Sequence, residues 1–371
     1  MDTTDFSKLK QAAGPFATAF VDVSRGTENG EHEHELRVRA AGDQLREQGA
    51  DDAVVETVVR VLSEPSDRPA PVGRLVVANA GGVVLEEAAS VQVDQPVATW
   101  GPLPDLAAWI EHRDSTVSFV LAVVDHTGGD VAVHVSDVPT ALEEQSIEVD
   151  DQRADDINKV TVGGWAQKHY ELRAENAWRD SAEEVVEAVT SHIRAGHRLV
   201  LLAGDPTSKG MVRDKLAGTA AEVVELGTGQ RAEDGGDEAL QQAIRDALME
   251  QVVQRRLGVV HELRERLGRG ESVATGIDDV ADAFVRGQVD TLLLDPTAAA
   301  EHELDPSRHE GLSLGDGVPQ QPLRADQALV AAAVLTDAAV TVSPHQAMAG
   351  EPVAALLRWD QPSVGTQEAG S

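Results

Sequence analysis

The stretch 160–195, VTVGGWAQKHYELRAENAWRDSAEEVVEAVTSHIRA, constrains this chain more than any other. A glycine pair, Gly163–Gly164, is followed by Trp165, and neither Gly nor Pro recurs until Gly196. Tyr170, Ala174, Ala177, Trp178, Ser181, Val185, Ala188, Val189 and Ile193 fall at three- and four-residue steps. That spacing predicts one apolar stripe on a long amphipathic helix. Glu171, Arg173, Glu175, Arg179, Glu183, Glu184 and Glu187 fill the opposite face. Gly196 ends the helix, with Arg194 in the last turn, where the helix dipole favours a cation. At ~1.5 Å per residue such a helix is on the order of 40 Å long. It is long enough to hold the Gly-Gly loop away from the body of its domain.

The loop has its own chemistry. Two glycines allow close backbone approach that side chains would block. Lys168, His169 and Arg173 gather in the first two helical turns, where the dipole repels cations. Cations at that end point to an anionic partner such as phosphate. A tight turn with Trp165 folded into a core is the competing reading, and both remain open at this stage.

The chain of 371 residues is long enough for two or three domains. It contains no cysteine, which excludes disulfides and thiolate chemistry and fits a reducing cytoplasm. The first residues, MDTTDFSKLKQAAG, contain no apolar signal-peptide core, and no apolar run approaches a membrane span. The expected location is cytoplasmic. A formal net charge of −33 argues against indiscriminate nucleic-acid binding and against DNA as a partner. Contacts with RNA must be local.

Taken in order, PFATAFVDVS reads as a buried strand, and 30–49 as a strand or helix start and then helix. Asp51–Leu62 is a helix by its valine spacing, and the proline-rich 63–73 segment is a loop. RLVVANAGGVVLEEAA is a hairpin, Asp105–His112 a short helix, and VSFVLAVVDHTGGDVAVHVSD two strands around a glycine turn. An α/β first domain over 1–138 follows. The span 139–235 forms a middle domain holding the Gly-Gly loop, its helix and the strand–turn–helix HRLVLLAGDPTSKGMVRDKL. A Gly-rich polar segment precedes a third α/β domain, 236–371, which begins with a second long helix over 238–268.

Three other constellations have structural explanations. Gly204–Gly210 lies between strand and helix but lacks the spacing of a phosphate loop; Thr207 or Ser208 as helix cap accounts for it. His32 and His34 alternate with glutamates, so a strand there would put both on one face, as metal ligands can be. No third histidine follows at suitable spacing, and no metal is expected. Arg255, Arg256, Arg264, Arg266 and Arg269 have Glu262 and Glu265 among them, so i,i+4 pairing on a solvated helix explains them. No Gly-x-Ser-x-Gly elbow appears and no cofactor is indicated.

Gly163–Gly164 opening a long helix, then LVLLAGDPTSKGMVRDKL, GIDDVADAFVRGQVDTLLLD and VLTDAAVTVSP, resembles the middle and C-terminal domains of archaeal and eukaryotic peptide-chain release factors. More closely, it resembles their bacterial relatives, the Balon-type ribosome hibernation factors. The resemblance spans roughly 140–360. It implies a mixed α/β first domain, a ribonuclease-H-like middle domain and an L7Ae-like C-terminal domain. In the release factors the loop reads Gly-Gly-Gln, and the glutamine helps place water at the peptidyl-tRNA ester. Here Trp165 stands in that position and Gln167 comes two residues later. The Asn-Ile-Lys-Ser motif that reads stop codons is absent.

These departures fit a protein that occupies the A site of the 70S ribosome and blocks translation without catalysing anything. Gly163, Gly164, Trp165, Gln167, Lys168, His169 and Arg173 would meet rRNA at the peptidyl-transferase centre, with no catalytic residue among them. The resemblance also implies elongation factor Tu as a companion. The alternative is a release-factor-like or rescue peptidyl-tRNA hydrolase with Gln167 in the catalytic role.

Overall fold

The computed structural model describes residues 4–25, 30–66, 71–89, 91–93, 96–125, 128–136, 143–148, 182–227 and 236–359. They form two compact units, one drawn from Met1–Ser115 with Gln254–Ser371 and the other from Thr116–Val253. The architecture is mixed α/β throughout, as expected.

In the first unit, β1 (Phe16–Asp22) pairs antiparallel with β2 (Gly73–Asn79) and β4 (Val97–Gly101), and β2 with β3 (Gly82–Ala89). Two helices cover one face: α1 (Gly30–Glu47) and α2 (Asp52–Ser63). The 30–49 segment is helical from its start, so His32 and His34 do not share a strand face. His34, Val38, Ala41, Gly42 and Leu45 form the buried stripe of α1 while His32 is exposed. The helical spacing of small apolar residues outweighs the local His/Glu alternation. Gln48 covers the free edge of β4: its Nε2 donates to the Ala98 carbonyl at 2.8 Å and its Oε1 accepts from the Trp100 amide at 2.9 Å. A side-chain amide thus stands in for a neighbouring strand.

The other half of this unit is a second sheet. There β15 (Val353–Leu357) pairs antiparallel with β10 (Val273–Thr275) and β11 (Val289–Leu294), and β11 runs parallel to β14 (Ala339–Val342). The chain between these strands supplies the helices Ile277–Val285, Pro296–Ala300 and Ala325–Leu335, and a short antiparallel pair, β12 (Glu303–Leu304) with β13 (Leu323–Arg324). The last is rich in Ala and Leu and is almost wholly buried. Leu329, Val330 and Val334 from it share one apolar cluster with Phe20, Leu75, Trp109 and Ile110 of the N-terminal half. The first and third α/β regions therefore share a core.

The second unit is built on five strands in the order β7-β6-β5-β8-β9. These are β5 (Ser118–Val124), β6 (Gly128–Val135), β7 (Glu143–Glu148), β8 (Leu199–Gly204) and β9 (Glu222–Glu225). The first three run antiparallel, and β5, β8 and β9 are mutually parallel. That order, with only the second strand reversed, is the ribonuclease-H-like arrangement. It moves β5 and β6 out of the 1–138 domain in which the sequence reading placed them. It also makes a strand of the acidic 143–148 segment.

Both faces of this sheet are covered. Phe119, Leu199, Leu201 and Ala203 meet Ile244 on one side. Val120, Ala122, Val124, Val200 and Leu202 meet Val185, Val189, Ile193 and Leu216 on the other. The period-two alternation of strand side chains sorts them onto the two faces.

Candidate functional site

Gly163, Gly164, Trp165, Gln167, Lys168, His169 and Arg173 lie outside the described residues. What is described is the helix that follows them in the chain. Residues 182–194 are helical, continuing the amphipathic pattern that starts after the loop. Ala182, Val185, Ala188, Val189 and Ile193 are buried against the sheet. At ~25 cal/mol per Å² of apolar surface, each valine or isoleucine contributes about 1.5–3 kcal/mol, ample to fix this helix on the sheet.

The neighbouring strand-to-helix turn follows from one glycine and one aspartate. Gly204 ends β8 at φ +113°, and a Cβ there would lie 1.8 Å from the Val124 carbonyl oxygen. The close pairing of β5 and β8 therefore admits only glycine. Asp205 is the helix cap, accepting from the Ser208 amide at 2.9 Å, and Pro206 occupies the first turn. The cap is thus Asp205 in place of Thr207 or Ser208, because proline at the first helical position puts the cap just before it. Lys209 is buried and donates to the Leu226 carbonyl at 2.7 Å, away from any phosphate-cradling position. Asp205 as cap and Lys209 bonded to the Leu226 carbonyl account for Gly204–Gly210 in structural terms.

Three polar nodes in the other unit escaped the sequence reading. Asp114 is buried and accepts from Arg256 Nε at 3.1 Å and from the Val342 amide at 3.1 Å. Arg255 donates to the Asp114 carbonyl. Arg324 donates to Asp105 at 2.9 Å and grips Asp326 through two nitrogens at 2.6 and 3.1 Å. Burial pushes the Asp326 carboxyl up, against the opposing pull of Arg324. His309 is buried with Nδ1 2.7 Å from Asp282 and Nε2 3.1 Å from Asp278. All three join segments far apart in sequence, and in a chain with 64 acidic residues no spacing marks them out. Elsewhere on the long helix, Arg266–Glu262 and Arg269–Glu265 are the expected i,i+4 pairs. Among the described residues no group of three or more His, Asp or Glu is arranged to hold a metal ion, and no helix is long and apolar enough to cross a membrane.

A fourth feature is a cleft of about 530 Å³ in the N-terminal region, lined by Arg25, His34, Arg39 and Arg46 together with Glu31 and Glu35. His34 is 2% exposed. Burial holds its imidazole below the ordinary value, reinforced by the charges of Arg25, Arg37 and Arg74 and opposed by Glu31. Arg25 Nη2 lies 2.9 Å from His34 Nε2.

Comparison with known proteins gives relatives along the whole chain. An uncharacterized protein of Mycobacterium tuberculosis is 24% identical over 370 residues, covering 95% of each chain. The protein pelota homolog of Natronomonas pharaonis is 29% identical over 121 residues, covering 31% of this chain and 34% of its own. Among solved structures, Archaeoglobus fulgidus Pelota is 14% identical, with a TM-score of 0.33 over 96% of this chain and 91% of that one. Saccharomyces cerevisiae Dom34, described as a translation termination-like factor, is 12% identical with a TM-score of 0.42, covering 78% and 80%. Residues 118–269, which hold the whole five-stranded sheet and the helix Gly236–Arg269, match the family model of bacterial archaeo-eukaryotic release factor family 2.

Proposed function

We propose that this protein binds the ribosome as a release-factor-like factor, occupies the vacant A site and holds translation off without hydrolysing peptidyl-tRNA. The observation that carries the reading is the match of residues 118–269 to a release-factor family, in a chain whose Gly163–Gly164 pair is followed by Trp165 and not glutamine. The family's chemistry needs a glutamine at that place, and a displacement of ~1 Å already costs ~100-fold in rate. Loss of the catalytic side chain with retention of the glycine pair suits a protein that docks at the catalytic centre and stops there. This is the role of a Balon-type hibernation factor, with elongation factor Tu as the companion that such a role implies.

Co-sedimentation with 70S ribosomes from stationary-phase cells tests the proposal directly. Binding that is lost when the A site is filled with tRNA supports it. A protein that stays in the soluble fraction, or binds equally beside an occupied A site, rules it out. Gln167, two residues beyond Trp165, sustains one rival: a rescue hydrolase. Release of labelled peptide from programmed ribosomes, abolished by Gln167→Ala, would establish that rival in its place.

A further inference from the structure

We infer that the cleft between Arg25, His34, Arg39 and Arg46 is an oxyanion site that takes a phosphate group. The argument begins with donors that have no acceptor. Arg25 Nη2 donates to His34 Nε2, so that nitrogen is unprotonated and the neutral ring carries its hydrogen on Nδ1. Among the described residues His34 Nδ1 has no hydrogen-bond partner, and neither does Arg25 Nε, although both atoms are sealed from water. Buried donors without acceptors are rare and costly, and two on contacting side chains mark a place built for an acceptor.

The surrounding charge is of the matching sign. Three arginines and two glutamates line the cleft; Arg25 pairs with Glu31, and Arg46 with Asp43 and Asp52 outside the lining, which leaves Arg39 as the cleft's unengaged cation among the described residues. Arg25, Arg37 and Arg74 face His34 from three different segments, with Glu31 the one carboxylate acting on it. Arg39 is exposed and makes no ion pair among the described residues, which leaves its guanidinium open to a ligand at the rim. Arg25 is 29% exposed, so rotation of its side chain opens the inner donors to an entering group. A tetrahedral oxyanion supplies several acceptors at once, which a single carboxylate or carbonyl does not, and guanidinium groups bind it in forked pairs. This site is independent of the ribosome reading, because free phosphate and an RNA backbone phosphate share the chemistry.

The full-length protein labelled with ¹³C at histidine Cε1 supplies the test, with the His34 signal assigned among the 12 histidines by His34→Gln. Inorganic phosphate, added against a chloride control of equal ionic strength, is expected to shift the His34 resonance saturably and raise its pKa. A nearby anion favours the protonated ring. Arg39→Gln, a surface change that leaves the fold intact, is expected to weaken that response about tenfold. A short oligoribonucleotide forms the second arm. A response to it as well assigns the site to RNA, and a response to phosphate alone assigns it to a free phosphate compound. A His34 signal indifferent to phosphate, or a response unchanged by Arg39→Gln, overturns the inference even if the protein co-sediments with ribosomes. A phosphate response without co-sedimentation keeps this site and defeats the ribosome reading.

Discussion

Arg256 donates from Nε to Asp114 Oδ2 at 3.1 Å, and the Asp114 side chain is fully buried. The same oxygen accepts from the Val342 amide, so one carboxylate ties the helix Ala107–Ser115 to the long helix and to strand β14. Asp114→Ala leaves a buried amide and a guanidinium without their acceptor. Arg256 is one-third exposed and keeps partial access to water, which reduces the penalty. The expected loss is about 2–3 kcal/mol in denaturant unfolding, with Asp114→Asn losing less because it keeps an acceptor. Equal losses for the two variants would show that charge, and not acceptance of the Val342 amide, sets the cost.

Gly204→Ala tests the tight pairing of β5 and β8. The left-handed backbone and the 1.8 Å approach to the Val124 carbonyl act together, so the expected loss is about 3 kcal/mol or more. Hydrogen exchange of the β5 and β8 amides localises it. A variant with unchanged protection on both strands would show that the turn relaxes freely.

Stability is expected to fall as the medium is acidified below the ordinary histidine value of 6.5. His34 and His134 are both held below it, each chiefly by burial. The sign follows from linkage: the unfolded chain takes up protons first, so their stabilising contribution is complete above 6.5 and is lost as pH falls through the lowered folded values. Denaturant midpoints between pH 7.5 and 5 measure the slope, and His34→Gln with His134→Gln should flatten it. A slope unchanged in the double variant would assign the acid sensitivity to other groups.

Trp165→Ala separates an anchor from a core residue. Stacking on a base is worth ~1–3 kcal/mol, so ribosome affinity should drop by roughly 5- to 150-fold at ~1.4 kcal/mol per factor of ten. A Trp packed in a core costs ~3–5 kcal/mol on truncation and would lower the melting temperature with affinity retained. Measuring both quantities on one variant decides between them.

Local pattern was enough to read most elements in this chain, because hydrophobic period and turn chemistry are written within a few residues. The strand at Phe16–Asp22, the hairpin around Gly81–Gly82, the helix Asp52–Ser63 and the turn before Pro206 are where their spacing predicted. The pairs Arg266–Glu262 and Arg269–Glu265 were legible for the same reason, since helical geometry alone brings residues four apart together. The Gly163–Gly164–Trp165 run is a feature of the sequence alone and lies outside the described residues.

Tertiary structure decided what depends on long-range pairing. Whether Ser118–Val124 closes the first domain or opens the second depends on its parallel partner, β8, some eighty residues later, and no local signal encodes a partner. Arg255 and Arg256 look like their solvated neighbours until the fold brings buried Asp114 beneath them. His34 changes from one of two alternating histidines to a buried ring because α1 turns that face, and no other, onto the sheet. The reason is common to all three: burial and charge pairing belong to the packed chain, and only packing chooses which of many equivalent residues loses its water.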